Sequence, residues 1–264
     1  MCFGRAQSTI KVRLKNILEK LDVQDGTEAV TIGFARGIIH VDDGYQQGAS
    51  DRGHDPAQPM KEVTAIFSDI GGVILTNGWD RSSRKRAVET FGLDWEEFVD
   101  RHDLANSAFE LGEISLDEYL HRTVFHRSRP FSREEFKAFL FAQSQELPES
   151  RVLLDRLTGG GCNYLVAAIN NEGDGVNEYR IDRFDLRRNF TAFFSSCYVG
   201  LRKPDSAIYR LALDVTRREP EESVFIDDRP MNVEYAARLG MRAILFEGDA
   251  VQLERELARH GVSL

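Results

Sequence analysis

Apolar and polar residues follow two rhythms along this chain, and the place where the rhythm changes divides it. Residues 63–75 begin as a short run rich in β-branched and aromatic side chains, which reads as a buried strand. The run halts at Asp69 and the pair Gly71-Gly72. Asp80 is placed to cap a helix over 81–91 that Gly92 ends. Residues 93–150 have helical periodicity and no strand pattern. Ser115 with Glu118, and Ser132 with Glu135, have the spacing of capping boxes. The aromatics of this stretch (Phe98, Phe125, Phe131, Phe136, Phe139, Phe141) read as the core of a small bundle.

From residue 151 the pattern alternates between helix and strand. Helices are expected through 152–157, ended by Gly159-Gly160-Gly161, and over 177–184, 206–214, 230–239 and 250–260. Strands are expected over 164–169, 192–198, 223–226 and 242–246. Such alternation predicts an α/β fold, a Rossmann-like doubly wound parallel sheet. The core is assigned to 61–78 and 151–264, with a small helical cap inserted over 79–150. Residues 1–60 differ from both. Ile10, Leu14, Ile17, Leu18 and Leu21 share one helical face, and 42–59 is rich in Gly, Gln, Asp and Ser. This segment reads as an N-terminal extension and linker, expected to be poorly ordered, with the compact protein beginning near Met60. Five basic side chains against one acid in the first 21 residues would also suit a transit peptide. A docking helix or tail is the simpler reading.

Composition narrows the function. A formal net charge of −9 argues against nonspecific nucleic-acid binding. Three cysteines, Cys2, Cys162 and Cys197, are too few and too far apart for a disulfide framework or a zinc site, so a cytoplasmic setting is expected. No apolar run approaches the roughly 18 residues of a membrane span.

Polar residues then stand at the ends of successive expected strands: Asp69, Asn170, Lys203 just beyond its strand, and Asp227 with Asp228. In a doubly wound sheet those ends converge on one crevice. Singly, each is an ordinary turn residue; the joint order is far more specific.

The same residues carry a family resemblance. Phe67-Ser68-Asp69-Ile70-Gly71-Gly72-Val73 resembles the first motif of the haloacid dehalogenase-like hydrolases. Gly200-Leu201-Arg202-Lys203-Pro204-Asp205 resembles their third motif, and Val224-Phe225-Ile226-Asp227-Asp228 their acidic fourth. Asn170 stands where the second motif usually has Ser or Thr. The resemblance covers roughly 63–248. It implies that Asp69 is a nucleophile and that Lys203 and Asn170 are catalytic. It implies Mg²⁺ held by Asp69, Asp227, Asp228 and the Gly71 carbonyl. Gly72, Asn170, Asn171 and Lys203 are expected to contact a small phosphorylated substrate. Physics agrees, because two unit charges about 4 Å apart repel by roughly 4 kcal/mol at an effective dielectric near 20, and a divalent cation offsets this.

Two departures from the family pattern matter. Phosphatases of the family usually carry a second Asp two positions after the nucleophile, where this chain has Gly71, and the second-motif hydroxyl is absent. General acid–base help is typically worth about 10²–10⁴-fold. The site is therefore expected to be slow, to favour good leaving groups, or to borrow an acid from the cap, with His102, Asp103, Glu110 and Glu113 as loose candidates. An acid introduced at 71 would fail if that residue uses a backbone conformation reserved for glycine. Ser68 is expected to be structural. The leading expectation is a Mg²⁺-dependent phosphatase. The alternatives are a haloacid dehalogenase, with Asp69 attacking carbon without metal, and a non-catalytic binding protein that keeps the fold.

Overall fold

A computed structural model describes residues 61–159 and 161–264. The expected N-terminal extension and linker lie outside the described residues, as does Gly160. The elements in chain order begin with β1 (Ala65–Ser68), α1 (Arg81–Phe91), α2 (Trp95–Glu110), α3 (Leu116–Thr123), α4 (Arg133–Ala142) and α5 (Pro148–Thr158). They continue with β2 (Leu165–Asn170), α6 (Val176–Arg183), β3 (Ala192–Ser195), a one-turn α7 (Ser196–Val199) and α8 (Ser206–Thr216). The last are β4 (Ser223–Asp227), α9 (Pro230–Arg238), β5 (Arg242–Leu245) and α10 (Ala250–Arg259).

The five strands form one sheet in the order β3-β2-β1-β4-β5, every pair parallel. The chain builds outward from β1 in one direction, then returns to place β4 on its other side. This is the doubly wound arrangement, with its switch point between β1 and β4. Ser68 pairs with both Ala168 and Ile226, so the ends of three strands are level. The three central strands, β1, β2 and β4, are buried on both faces, hence their nearly continuous apolar sequence. One cluster runs from Ile66, Val166 and Val224 in the sheet to Leu153, Leu157, Leu253 and Leu257 on α5 and α10.

Helices α1–α4 pack around a second apolar cluster built on Trp79, Phe98, Phe109, Tyr119, Phe136 and Leu140. Phe125, Phe131, Phe139 and Phe141 pack against it partly buried. The Asp80 side chain caps α1 by accepting from Ser83 N at 2.7 Å, and Gly92 closes that helix in the left-handed region. Ser132 and Glu135 form the full capping box. Ser115 makes only half of one. It accepts from Glu118 N, but Glu118 turns its carboxylate to Arg122, one turn on, at 2.7 Å. This cluster closely approaches the loop past β2. A Cβ at Gly173, just past β2, would lie 2.1 Å from the Phe109 ring, so only glycine lets the ring rest there.

The expected strand over 192–198 ends early, at Ser195, and the chain turns into α7. The reason is polar. Ser195 donates to Asn170 Oδ1 at 2.7 Å, and Ser196 Oγ accepts from Glu172 N at 3.0 Å, so the two serines fold the backbone over the end of β2.

Candidate active site

Asp69 is the first residue beyond β1. Its backbone N–H still donates to Ile226 O at 2.8 Å, which locks it beside β4. Its Oδ1 accepts from Ile70 N at 2.8 Å, and its Oδ2 lies 3.0 Å from Lys203 Nζ. Ser68 donates its hydroxyl to the Asp69 carbonyl, a structural bond. Lys203 is fully buried with its ammonium 2.6 Å from Asp227 Oδ2. Two reciprocal bonds to Asn171 hold its backbone, Lys203 N to Oδ1 and Nδ2 to Lys203 O, each 2.8 Å.

Asp69, Asp227 and Asp228 form the one carboxylate group among the described residues arranged to hold a metal ion, with an oxygen from each within 4.8 Å of the others. The three are not equivalent. Asp227 is saturated: Lys203, Arg229 N and the Asn232 amide donate to it at 2.6–3.0 Å. Asp228 receives Asn77 Nδ2 on Oδ2 at 2.8 Å, while its Oδ1 is buried with no hydrogen-bond partner. A buried carboxylate oxygen without a donor costs free energy unless a cation takes it. The residues present therefore fit a hard divalent ion.

Electrostatics points the same way. Burial pushes the Asp69 carboxyl up to about 7, opposed by Lys203 and reinforced by Asp227 and Asp228. Burial alone would lower Lys203, but the attraction of Asp69 and Asp227 outweighs it, and the ammonium is held above its ordinary value. Three carboxylates to one ammonium leave the cluster short of positive charge.

Four of the expected residues, Asp69, Lys203, Asp227 and Asp228, thus meet. Asn171 spends its amide and carbonyl on the backbone of Lys203, so its bonds position the lysine. Asn170 lies in a buried network instead, donating to Asn177 Oδ1 at 2.9 Å and accepting from Ser195, because it ends β2 opposite Ser195. Gly72 takes a positive φ of 76°, and a Cβ there would lie 2.1 Å from Asp228 Oδ2. Gly71 does not share that conformation. A Cβ at 71 would meet Asn77 Oδ1 at 3.2 Å, so Asn77 would have to give by a few tenths of an ångström, and would rest in ordinary contact with Arg180 Nη1 at 3.5 Å.

Of the four loose acid candidates, Asp103 and Glu113 are exposed. His102 is buried in the helical cluster, its Nδ1 2.7 Å from the Tyr119 hydroxyl, and burial lowers it to about 4. It is neutral at pH 7 and shares a hydrogen bond with the Tyr119 hydroxyl, which accepts from Trp79 Nε1 at 2.8 Å. Glu110 alone reaches the sheet side, pairing with Arg202 at 2.8 Å, next to Lys203. The residues that sequence reasoning missed are Asn77, Asn232, Glu172 and Arg180. Arg180 is buried, donating to Glu172 at 2.7 Å and to the Thr76 carbonyl at 2.5 Å.

The sequence over residues 60–240 matches the model of the haloacid dehalogenase-like hydrolase family. The chain belongs to the haloacid dehalogenase-like hydrolases. It is 30% identical over 175 residues to the chloroplastic flavin mononucleotide hydrolase 1 of Arabidopsis thaliana, covering 66% of this chain and 69% of that one. It is 29% identical over 210 residues to the glyceraldehyde 3-phosphate phosphatase of Pyrococcus furiosus, covering 75% and 86%. A match to bifunctional epoxide hydrolase 2 of Sus scrofa, 41% identical over 74% of this hydrolase, spans only 38% of that protein's length. Among solved structures, a haloacid dehalogenase family enzyme of Bacteroides thetaiotaomicron superposes with a TM-score of 0.64 at 21% identity, over 74% of this chain and all of that one, which establishes the shared fold. No helix among the described residues is long and apolar enough to cross a membrane.

Proposed function

We propose that this hydrolase is a Mg²⁺-dependent phosphatase of a small phosphorylated metabolite, acting through an aspartyl-phosphate on Asp69. The observation that carries the reading is the buried, unpartnered Oδ1 of Asp228 beside a carboxylate nucleophile that an ammonium holds at 3.0 Å. Support also comes from the Pyrococcus relative, whose name is that of a phosphatase of a small phosphorylated metabolite. The three scattered cysteines of this chain suit a reducing cytoplasm.

Asp69, Asp228 and the Gly71 carbonyl would hold the cation, with Asp227 contributing charge from behind while it holds Lys203. Bound there, Mg²⁺ supplies positive charge to the phosphoryl oxygens and to the excess of carboxylates. The chain's own residues do the rest. An Asp69 oxygen forms a bond to phosphorus as the ester P–O bond breaks, and the leaving oxygen takes its proton from water. A second water then displaces Asp69 and gives inorganic phosphate. Lys203, fixed by Asn171 and Asp227, neutralises Asp69 and the incoming phosphoryl group. Asn170, bonded to Asn177 and Ser195, would act by holding the end of β2 beside Asp69.

Position 71 holds no acid, so departure of the leaving oxygen is largely unassisted. The test is phosphate release from a series of aryl and alkyl monophosphates, with Mg²⁺ or EDTA, by wild type and Asp69→Asn. Aryl and acyl phosphates should outrun alkyl ones by about 10²-fold or more, the scale of missing general-acid help. Activity should vanish in EDTA and in Asp69→Asn. Equal rates on alkyl and aryl substrates would refute the unassisted departure, and activity in EDTA would refute the metal. Halide release from a 2-haloacid in EDTA would favour the carbon-attacking alternative.

A further inference from the structure

We propose that Asn77 is the positioning residue that aims Asp228 at the cation; this rests on the metal-dependent reading above. Ionised carboxylate oxygens only accept hydrogen bonds, so the contact to Asp228 fixes the Asn77 amide with its N–H₂ toward Oδ2. That bond occupies one oxygen and turns the other, Oδ1, to the buried position where it has no protein donor.

Three features hold Asn77 itself in place. The preceding residue, Thr76, is tied on every side: its N–H donates to Gln145 O and its hydroxyl to Gln143 O, each at 2.8 Å. Its carbonyl accepts from buried Arg180, and Arg180 is held by Glu172. Second, Leu75 bridges to Gly71 on one side and Glu146 on the other, closing the loop under the site. Third, the two glycines make room. A Cβ at Gly72 would lie 2.1 Å from Asp228 Oδ2 and 2.8 Å from Asn77 Nδ2, so the carboxylate–carboxamide pair lies flat on that backbone. A Cβ at Gly71 would press on Asn77 Oδ1 at 3.2 Å, so the glycine leaves the carboxamide unhindered. Asp227 needs no such help, since Arg229 N, Asn232 and Lys203 hold it.

The test is calorimetric titration of Mg²⁺ into wild type, Asn77→Ala, Asn77→Ser and Asp228→Asn, with thermal unfolding of each in EDTA. Removing the partner of a ligand typically costs about 10–100-fold in metal affinity. That loss is expected in both Asn77 variants, with EDTA unfolding temperatures close to wild type and substrate KM unchanged at saturating Mg²⁺. Where either variant is marginally folded, the shift of its own unfolding temperature on adding Mg²⁺ gives the affinity instead. Tight binding by wild type and both Asn77 variants, with loss only in Asp228→Asn, overturns the inference and leaves the metal site standing. A lowered EDTA unfolding temperature with unchanged affinity overturns it too, since that is a purely structural role. Absence of binding by wild type overturns the metal-dependent reading and this inference with it.

Discussion

Replacing Asp69 with asparagine should make the metal-free protein more stable, and the gain should grow with pH. Burial and two neighbouring carboxylates lift the Asp69 carboxyl from 3.8 to about 7 despite Lys203. A folded-state value above the unfolded one means that the fold holds the proton more tightly. That stabilisation is complete below the unfolded value and is lost as pH rises through the folded one. A shift of about 3 units corresponds to roughly 4 kcal/mol lost by wild type across that window. Asparagine has the shape of the protonated acid and does not ionise, so it escapes the loss. Urea unfolding in EDTA at a series of pH values should give Asp69→Asn a margin that is small near pH 4, widens through pH 7 and then levels. Added Mg²⁺ should close the margin by stabilising wild type more. Equal stabilities at pH 8, or a margin that does not change with pH, would refute the argument that the empty cluster is short of positive charge.

Two further outcomes follow from the geometry. Gly72→Ala combines a positive φ with a Cβ 2.1 Å from Asp228 Oδ2, so it should cost on the order of 1–3 kcal/mol in urea unfolding and weaken Mg²⁺ binding. Wild-type affinity in that variant would show that Asp228 can shift freely. His102 is held near 4, below its ordinary 6.5, so its contribution is present above pH 6.5 and is lost as pH falls through 4. The stability of wild type relative to His102→Gln should therefore decline by roughly 3 kcal/mol across that window, the equivalent of about 2.5 units. A flat difference would mean that the imidazole is already protonated or solvated.

How much of this was legible in the sequence depended on whether a residue's role is periodic or spatial. The parallel sheet was legible because strands buried on both faces must be apolar throughout, as 66–67, 166–169 and 224–226 are. Asp69, Lys203 and Asp227-Asp228 were legible because strand ends converge whatever the loops do. Residues 192–198 misled for a physical reason: Cys197 and Tyr198 look like strand, but Ser195 and Ser196 answer to buried polar groups at and just past the end of β2. Asn171 looked like a ligand contact because no sequence pattern shows that its side chain would close on the backbone of residue 203. Asn77, Asn232 and Arg180 gave no signal. Each owes its place to partners far along the chain or across a turn, and such pairs leave no spacing to read.

The sheet order also sets when the site comes into being. Asp69 follows β1, and its acidic partners stand at the end of β4, which pairs beside β1 although β2 and β3 precede it in the chain. A chain emerging during synthesis therefore carries Asp69 and both glycines long before Asp227 and Asp228 exist. Any polypeptide cut short before residue 227 has a lone carboxylate at a strand edge and no place for a cation. Metal can neither template the early sheet nor rescue a truncated one, and the β1–β4 pairing, the most distant in sequence within the sheet, must close first. Loading with Mg²⁺ would thus report completed folding, and a metal-responsive signal during refolding should appear together with the last strands.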